Sequence, residues 1–240
     1  MKRSVLITLF LCCVVPIFAS TSAIENDDLP FRYIETLNVG SASDENRSLF
    51  FDHNGLLWVG TNSGLKSFDG YDMRVIKSTL SSPGLLPNNT IWAITEDKNN
   101  NLWLGTRNGV AKIDMHTGNV STYQNVNGIS RITYTFLVSH DGTVWVGNDS
   151  GLSKYVPATD SFVNYQGEGI KVIAPDGSEG EMGWYSVKSI VEDAEGNLYV
   201  GTWNTGLFRF SPTTETFFSY PNLNETNSAY SLFIDSKQHL

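Results

Sequence analysis

The chain reads Asp97-Lys-Asn-Asn-Asn-Leu-Trp-Leu-Gly-Thr-Arg-Asn-Gly-Val110 over the stretch that decides its fold. Three further segments align with this motif, and they run from Asp52 to Leu65, from Ser139 to Leu152 and from Asp193 to Leu207. The first glycines of the four copies are 45, 42 and 54 residues apart, and they are Gly60, Gly105, Gly147 and Gly201. A fifth copy begins near residue 229 and reaches Leu240, one residue before its expected Trp. Spacing of this kind is typical of tandem supersecondary units.

Each copy predicts four β-strands. A β-prone stretch such as Ile91–Thr95 comes first, and a tight turn such as Asn54-Gly55 follows, in which Gly accepts a positive φ. The Leu-Trp-Val-Gly segment predicts a buried second strand, and Gly-Leu-x-x-Phe/Tyr predicts a third. A fourth strand carries aromatic residues in three of the copies, at Ser121–Tyr123, Phe162–Tyr165 and Phe217–Tyr220.

We therefore predict an all-β fold: a β-propeller of four-stranded antiparallel blades. The expected ring is partial, with about four blades and an N-terminal closing strand. The blade cores are predicted at 47–78, 90–124, 131–166 and 185–221, with an incomplete fifth from 229. We expect truncation at the C-terminus as a fragment, an interrupted reading frame or an engineered piece.

The repeated residues have structural interpretations. A thin sheet cannot bury both faces alone, so the blades must stack and fill the space between them with side chains. The expected fillers are Trp58, Trp103, Trp145 and Tyr199. The glycines Gly60, Gly105, Gly147 and Gly201 are expected where backbones approach closely. The Asp of each copy is expected to cap its hairpin, because one carboxylate per blade cannot assemble a cation shell.

Composition and charge exclude several classes of protein. The chain has 240 residues, 40% of them apolar, and a net charge of −9, which opposes nucleic-acid binding. Lys2 and Arg3 precede an apolar run to Phe18 and small residues to Ala23, so residues 1–23 are predicted to be a cleaved secretory signal peptide, with an uncleaved anchor as the alternative. The mature propeller segment, 24–240, then lacks cysteine, since only Cys12 and Cys13 occur.

The repeat resembles the two-component regulator propeller repeat of periplasmic sensor regions in hybrid histidine kinases, notably those that regulate polysaccharide use in gut bacteria. The same repeats are also similar to those fused to diguanylate cyclases. The resemblance implies an exported, periplasmic module that senses an oligosaccharide. It also implies a homodimeric, inner-membrane parent whose kinase and membrane segments lie downstream. On this basis Phe31-Arg-Tyr33 is expected to be the closing outer strand.

Departures from the repeat are the candidate binding residues. The turn between the second and third strands varies from copy to copy, and Arg107 and Trp203 there offer hydrogen bonds and a stacking surface for a sugar or uronate. An insertion at about 166–184 predicts an extra hairpin that projects from one face, as a neutral loop or as a ligand surface that includes Trp184 and Tyr185.

The leading hypothesis is a sensor or scaffold module with no catalytic residues, no metal and no cofactor in this segment. The alternatives are a propeller lyase or glycan-cleaving hydrolase, and a purely structural interaction domain. A lyase needs a histidine and a carboxylate directed at one channel, but His53, His140 and His239 occupy predicted hairpin turns and His116 a loop.

Overall fold

A computed structural model of the chain describes residues 45–81, 84–124, 129–183, 185–203, 205–220 and 227–240. The chain divides into a unit of residues 1–37 and a unit of residues 38–240, and the fold below is that of the second. The predicted signal peptide, the closing strand Phe31–Tyr33 and Trp184 lie outside the described residues.

The described residues form eighteen strands in four sheets and no helix, so they include no helix that could span a membrane. Blade 1 consists of β1 (Asn46–Phe51), β2 (Leu57–Thr61), β3 (Gly64–Phe68) and β4 (Met73–Ile76). Blade 2 consists of β5 (Ile91–Glu96), β6 (Asn101–Thr106), β7 (Gly109–Asp114) and β8 (Val120–Tyr123). Blade 3 consists of β9 (Thr133–Val138), β10 (Val144–Asn148), β11 (Gly151–Val156) and β12 (Ser161–Tyr165).

Blade 4 is a larger sheet. Its six strands are β13 (Gly167–Ile173), β14 (Glu179–Met182), β15 (Ser186–Glu192), β16 (Leu198–Trp203), β17 (Leu207–Ser211) and β18 (Thr216–Ser219). Within every blade, consecutive strands of the repeat pair antiparallel in simple up-and-down order. The all-β prediction of four-stranded blades in an open ring is therefore confirmed.

The insertion forms the predicted hairpin, but in a different place. Strands β13 and β14 pair antiparallel, and β13 also pairs parallel with the outer strand β18, through Val172 opposite Phe217. The hairpin therefore extends blade 4 at its outer edge, and the prediction that it projects from one face is wrong. The physical reason is that β18 would otherwise present an unpaired row of backbone groups, which the inserted strand satisfies.

Three apolar cores hold the blades together, and each lies between two neighbours. Trp58 of blade 1 packs with Leu102 and Leu104 of blade 2. Trp103 packs with Val144 and Val146 of blade 3. The third core packs Trp145 against blade 4, where its neighbours include Val187, Leu198, Val200 and Phe210. The three indoles thus fill the spaces between blades, whereas Tyr199 in the fourth copy is half-buried with its ring 6.2 Å from that of Tyr220.

The glycine of each motif faces the first strand of the next blade. A Cβ on Gly105 would lie 2.7 Å from Thr133 Cγ2, and one on Gly147 would lie 2.6 Å from Val187 Cγ1. At Gly60 the neighbour is Ile91 at 2.8 Å, and at Gly201 it is the carbonyl oxygen of Ala229 at 2.5 Å. Residues 227–240 therefore lie against blade 4 where a next blade would begin, although they form no strand.

The Asp of the motif closes the first turn of its blade. Asp97 Oδ1 accepts the backbone N–H groups of Asn99 and Asn101, and its Oδ2 accepts Trp103 Nε1 at 2.8 Å. Asp52 makes the same contacts, with Trp58 Nε1 at 3.0 Å from Oδ2. Asp193 and Asp235 cap their turns through backbone N–H groups as well. The carboxylate thereby ties the turn to the buried indole of the next strand.

Candidate functional site

Each sheet has two ends with different turns. We call the end that bears the β1–β2, β5–β6, β9–β10 and β15–β16 turns the hairpin end. The opposite end, with the β2–β3, β6–β7, β10–β11 and β16–β17 turns, is the variable-turn end. The first strands of the four blades contact one another in succession and form the inner wall of the open ring; they are β1, β5, β9 and β15.

Every first strand carries a β-bulge near the variable-turn end. The ladder between β5 and β6 skips from Ile91 to Ala93, and the ladder between β15 and β16 skips from Val187 to Ser189. The same shift occurs in the other two blades. The residue at the bulge is left without a ladder partner and its side chain is re-aimed. The four bulge residues are Arg47, Trp92, Tyr134 and Lys188.

The four bulge side chains form a continuous series with Trp203. The Arg47 guanidinium carbon lies 4.2 Å from the Trp92 ring centroid, and the Trp92 and Tyr134 rings meet edge to face at 5.9 Å. Lys188 Nζ lies 3.1 Å from the Tyr134 centroid and 5.1 Å from that of Trp203. We call this series the cation–aromatic arc. It brings one residue from each first strand, and Trp203 from the end of β16, into a single polar and aromatic surface.

Trp203, a predicted ligand residue, lies at one end of this arc. It is 48% exposed, which is unusual for an indole, and the other motif tryptophans Trp58, Trp103 and Trp145 are almost completely buried. Since Lys188 approaches its ring, the exposed indole combines a stacking surface with a nearby positive charge.

Arg107, the second predicted residue, lies in the β6–β7 turn at the same end of the sheets. Its backbone N–H donates to Thr90 O, which fixes the turn against the start of β5, and its side chain is exposed. The structure therefore places Arg107 at the variable-turn end, but it shows no contact between the Arg107 side chain and the arc.

Tyr185, also predicted as a ligand residue, does not lie on this surface. It is 4% exposed within the core between blades 3 and 4. Its hydroxyl donates to Tyr165 O at 2.6 Å and accepts the Leu152 N–H at 3.1 Å. Burial raises the pKa of the Tyr185 hydroxyl above its usual value. The residue joins two blades, and its partner in the prediction, Trp184, lies outside the described residues.

Burial also changes the ionisation of the arc. Desolvation lowers the pKa of Lys188 to about 8, and the charge of Asp149 in the β10–β11 turn opposes this shift only in part. The pKa of Tyr134 is raised, first by desolvation and then by Asp149. Lys188 is thus a cation that has lost part of its hydration and is held between two aromatic rings.

Two buried donors of the arc have no acceptor among the described residues. They are Arg47 Nε and Trp92 Nε1. The Arg47 side chain is anchored elsewhere, since its NH2 group lies 2.7 Å from the exposed carboxylate of Glu45. A buried donor without an acceptor costs about 1–3 kcal/mol.

The sequence interpretation missed Arg47, Trp92, Tyr134 and Lys188. The sequence did contain a signal for them, because each of these residues lies five positions before the first residue of its motif copy, which is Asp or Ser. At that position side-chain type changes from copy to copy, whereas the motif itself repeats.

The histidines lie at the hairpin end. His53 Nδ1 is 2.6 Å from Glu96 Oε1 in the next blade, and His140 Nδ1 is 3.2 Å from Glu192 Oε2. Backbone N–H groups of both histidines donate to the same carboxylates. These pairs join neighbouring blades, and the described part of the chain gathers no group of three potential metal ligands.

Comparison with known proteins agrees with this architecture. The two component regulator propeller model matches residues 40–63, 85–108 and 182–204. Three segments of the chain are therefore similar to the two component regulator propeller repeat. The matched ranges omit the copy at Ser139–Leu152, in which Ser replaces the capping Asp. The sequence matches none of the curated proteins.

Solved structures share the fold of this chain. The extracellular domain of a hybrid two component system, BT3049 of B. thetaiotaomicron, is 22% identical with a TM-score of 0.58, over 74% of this chain and 23% of that one. PorZ, a surface component of the type-IX secretion system of Porphyromonas gingivalis, is 16% identical with a TM-score of 0.58, over 80% and 30%. Virginiamycin B lyase of Staphylococcus aureus is 14% identical with a TM-score of 0.50, over 76% and 57%. The chain thus spans less than two thirds of each of these proteins.

Proposed function

We propose that this chain is the periplasmic, ligand-sensing propeller region of a two-component signalling protein and that the cation–aromatic arc binds an oligosaccharide. The repeats support the sensor or scaffold role, because the regulator propeller model matches three of them. The observation that carries the ligand assignment is the arc itself, where half-exposed Trp203 continues a series of bulge residues from four blades.

The chemistry of the arc suits a carbohydrate. Aromatic faces pack against the apolar C–H faces of a sugar ring, and nearby donors bind its hydroxyl oxygens. Trp203 supplies an accessible face, and the Lys188 ammonium and the partly exposed Arg47 guanidinium supply donors. The function proposed for this segment is binding without catalysis, since the histidine–carboxylate pairs that a lyase would use lie at the hairpin end.

Titration of the purified protein with a panel of tetrasaccharides tests the ligand assignment. The panel contains neutral and acidic plant and animal glycans, and binding is followed by calorimetry and by tryptophan fluorescence. We expect at least one member to bind, and Trp203→Ala to weaken that binding about tenfold, which corresponds to about 1.4 kcal/mol.

The matched control is Tyr71→Ala. Tyr71 is 85% exposed, and it lies in the β3–β4 turn at the hairpin end, far from the arc in the topology. Its removal should leave affinity unchanged. Equal losses for the two variants, or binding that Trp203→Ala leaves intact, would contradict the assignment to the arc.

A further inference from the structure

The charges at the variable-turn end differ from those of the whole chain. Among described residues of its turns and first-strand starts, the cationic side chains are Arg47, Arg107, Arg131 and Lys188. The carboxylates in the same segments are Glu45 and Asp149. The chain as a whole carries a net charge of −9. A local excess of positive charge in an acidic protein attracts an anion to that place specifically.

Lys188 is the central feature of this excess. Its ammonium lies over the Tyr134 ring at 3.1 Å and near Trp203 at 5.1 Å, and among the described residues no carboxylate lies within ion-pair distance of it. Asp149 acts on it only through longer-range attraction. Aromatic rings replace lost hydration in part, but a desolvated cation gains more from a full negative charge.

Arg47 is the second cation of the arc, at the opposite end from Trp203. One of its terminal nitrogens pairs with Glu45, whose side chain is exposed, while its Nε remains buried and unpaired next to Trp92. The planar guanidinium presents several donors, so it can keep Glu45 and still donate to an anionic oxygen at a second edge. Both ends of the arc therefore have unused capacity for acceptors that carry charge.

We infer that the cation–aromatic arc selects an acidic oligosaccharide, with one carboxylate or sulfate ester of the ligand paired with the Lys188 ammonium and another with the Arg47 guanidinium, while a sugar ring stacks on Trp203. This inference rests on the proposed function and names the class of oligosaccharide that it takes. A neutral sugar would pack on the same rings but leave Lys188 without an anionic partner. Uronates and sulfated sugars share the chemistry that the arc recognises.

Calorimetry with charge-matched pairs of ligands tests the inference. The first pair is tetragalacturonate and its full methyl ester, which has the same backbone but no charge. The second pair is a sulfated chondroitin tetrasaccharide and its desulfated form. We expect the charged member of at least one pair to bind about tenfold or more tightly, and this preference to shrink at high salt. The pair that shows it distinguishes a carboxylate from a sulfate as the recognised group.

Three variants locate the effect. Lys188→Gln and Arg47→Gln should each weaken the affinity for the acidic ligand about tenfold. The affinity for its neutral counterpart should fall by less than twofold. The control Lys171→Gln removes an exposed lysine that pairs with Glu179 at 3.5 Å in the edge hairpin. This variant should keep the wild-type affinity for both ligands. If neutral tetrasaccharides bind as tightly as acidic ones and Trp203→Ala still weakens their binding, this inference is overturned and the proposed function stands. Failure of every tetrasaccharide to bind would overturn both.

Discussion

The two ends of the blades are built from the same four strands but differ in what repeats. At the hairpin end the same contacts recur, with Asp carboxylates capping turns and histidine–glutamate pairs joining blades 1 to 2 and 3 to 4. At the variable-turn end the backbone bulge recurs, but the side chain at the bulge changes from Arg to Trp, Tyr and Lys. The difference teaches that one end specifies the fold and the other end presents a surface.

The first prediction concerns the cap at the hairpin end. Asp97→Ala should lower the free energy of unfolding by about 3 kcal/mol, because two backbone N–H groups and Trp103 Nε1 lose a charged acceptor. Urea unfolding measures it. The matched control is Asp235→Ala, whose carboxylate caps the same kind of turn in a more exposed segment, and a clearly smaller loss of stability is expected. Equal losses of stability in the two variants would show that the hydrogen bond to the buried indole adds no stability.

The second prediction concerns the spacing between blades. Gly105→Ala should cost about 2 kcal/mol, since the added Cβ would approach Thr133 Cγ2 to 2.7 Å and force blade 3 to shift. Gly180→Ala is the control, because a Cβ there meets nothing within 4 Å, and a change within about 0.5 kcal/mol is expected. Thermal unfolding of the two variants side by side checks the contrast.

The third prediction separates two aromatic residues that the sequence grouped together. Tyr185→Phe should destabilise the protein by about 1.5 kcal/mol, as the Leu152 N–H and Tyr165 carbonyl lose their shared hydroxyl, and it should leave ligand affinity intact. Trp203→Ala should do the reverse, with a stability change within about 0.5 kcal/mol. A loss of binding in Tyr185→Phe without a loss of stability would return Tyr185 to the ligand surface.

These cases show what the sequence could predict. The motif predicted the blades and the turns because these depend on residues near one another in the chain, and it predicted the close approach at Gly105 because the same glycine recurs in every copy. The arc could not be predicted in the same way. The contacts between its bulge residues join positions more than forty apart, and the bulge moves Trp92 and Lys188 out of the two-residue alternation that a strand pattern assumes.

The outer hairpin and Tyr185 escaped prediction for a related reason. A run such as Ile170–Ala174 indicates a strand, but its pairing with β18 depends on which sheet edge is free in space. An isolated aromatic such as Tyr185 next to an insertion has the same sequence signature whether it is exposed or buried. Only the position of blade 3 against blade 4 decides between these alternatives.

A fourth prediction uses acid to weaken the hairpin end. The hydroxyls of Tyr123 and Tyr155 donate to Asp160 Oδ1 at 2.6 Å, and with Lys112 they lower the pKa of Asp160 to about 2. The carboxylate is therefore more acidic in the folded state, so its contribution is present above pH 4 and is lost as the pH falls towards 2. Asp160→Asn, which tolerates the positive φ at this position, should cost about 1 kcal/mol at pH 6. The difference from wild type should narrow at pH 3, as thermal unfolding at the two pH values will measure.

The fifth and smallest expected effect uses base at the variable-turn end. Because burial lowers the pKa of Lys188 to about 8, the folded state holds fewer protons than the unfolded state between pH 8 and the usual lysine range. The contribution of Lys188 to stability should therefore rise as the pH increases through this interval. Lys188→Met should lack this rise. The free energy of unfolding of the wild type should therefore increase relative to that of the variant as the pH is raised above 8. A constant difference between pH 7 and pH 10 would contradict the assigned burial of the ammonium.

The bulge in each first strand has a consequence for how such a protein can diverge. A residue at a bulge has no ladder partner, so its replacement leaves the strand pairing intact. The four bulge positions can therefore vary independently, one for each blade, on a framework held by the Asp, Trp and Gly of the motif. A chain with this architecture can acquire a new ligand preference by single substitutions while its folding determinants stay constant.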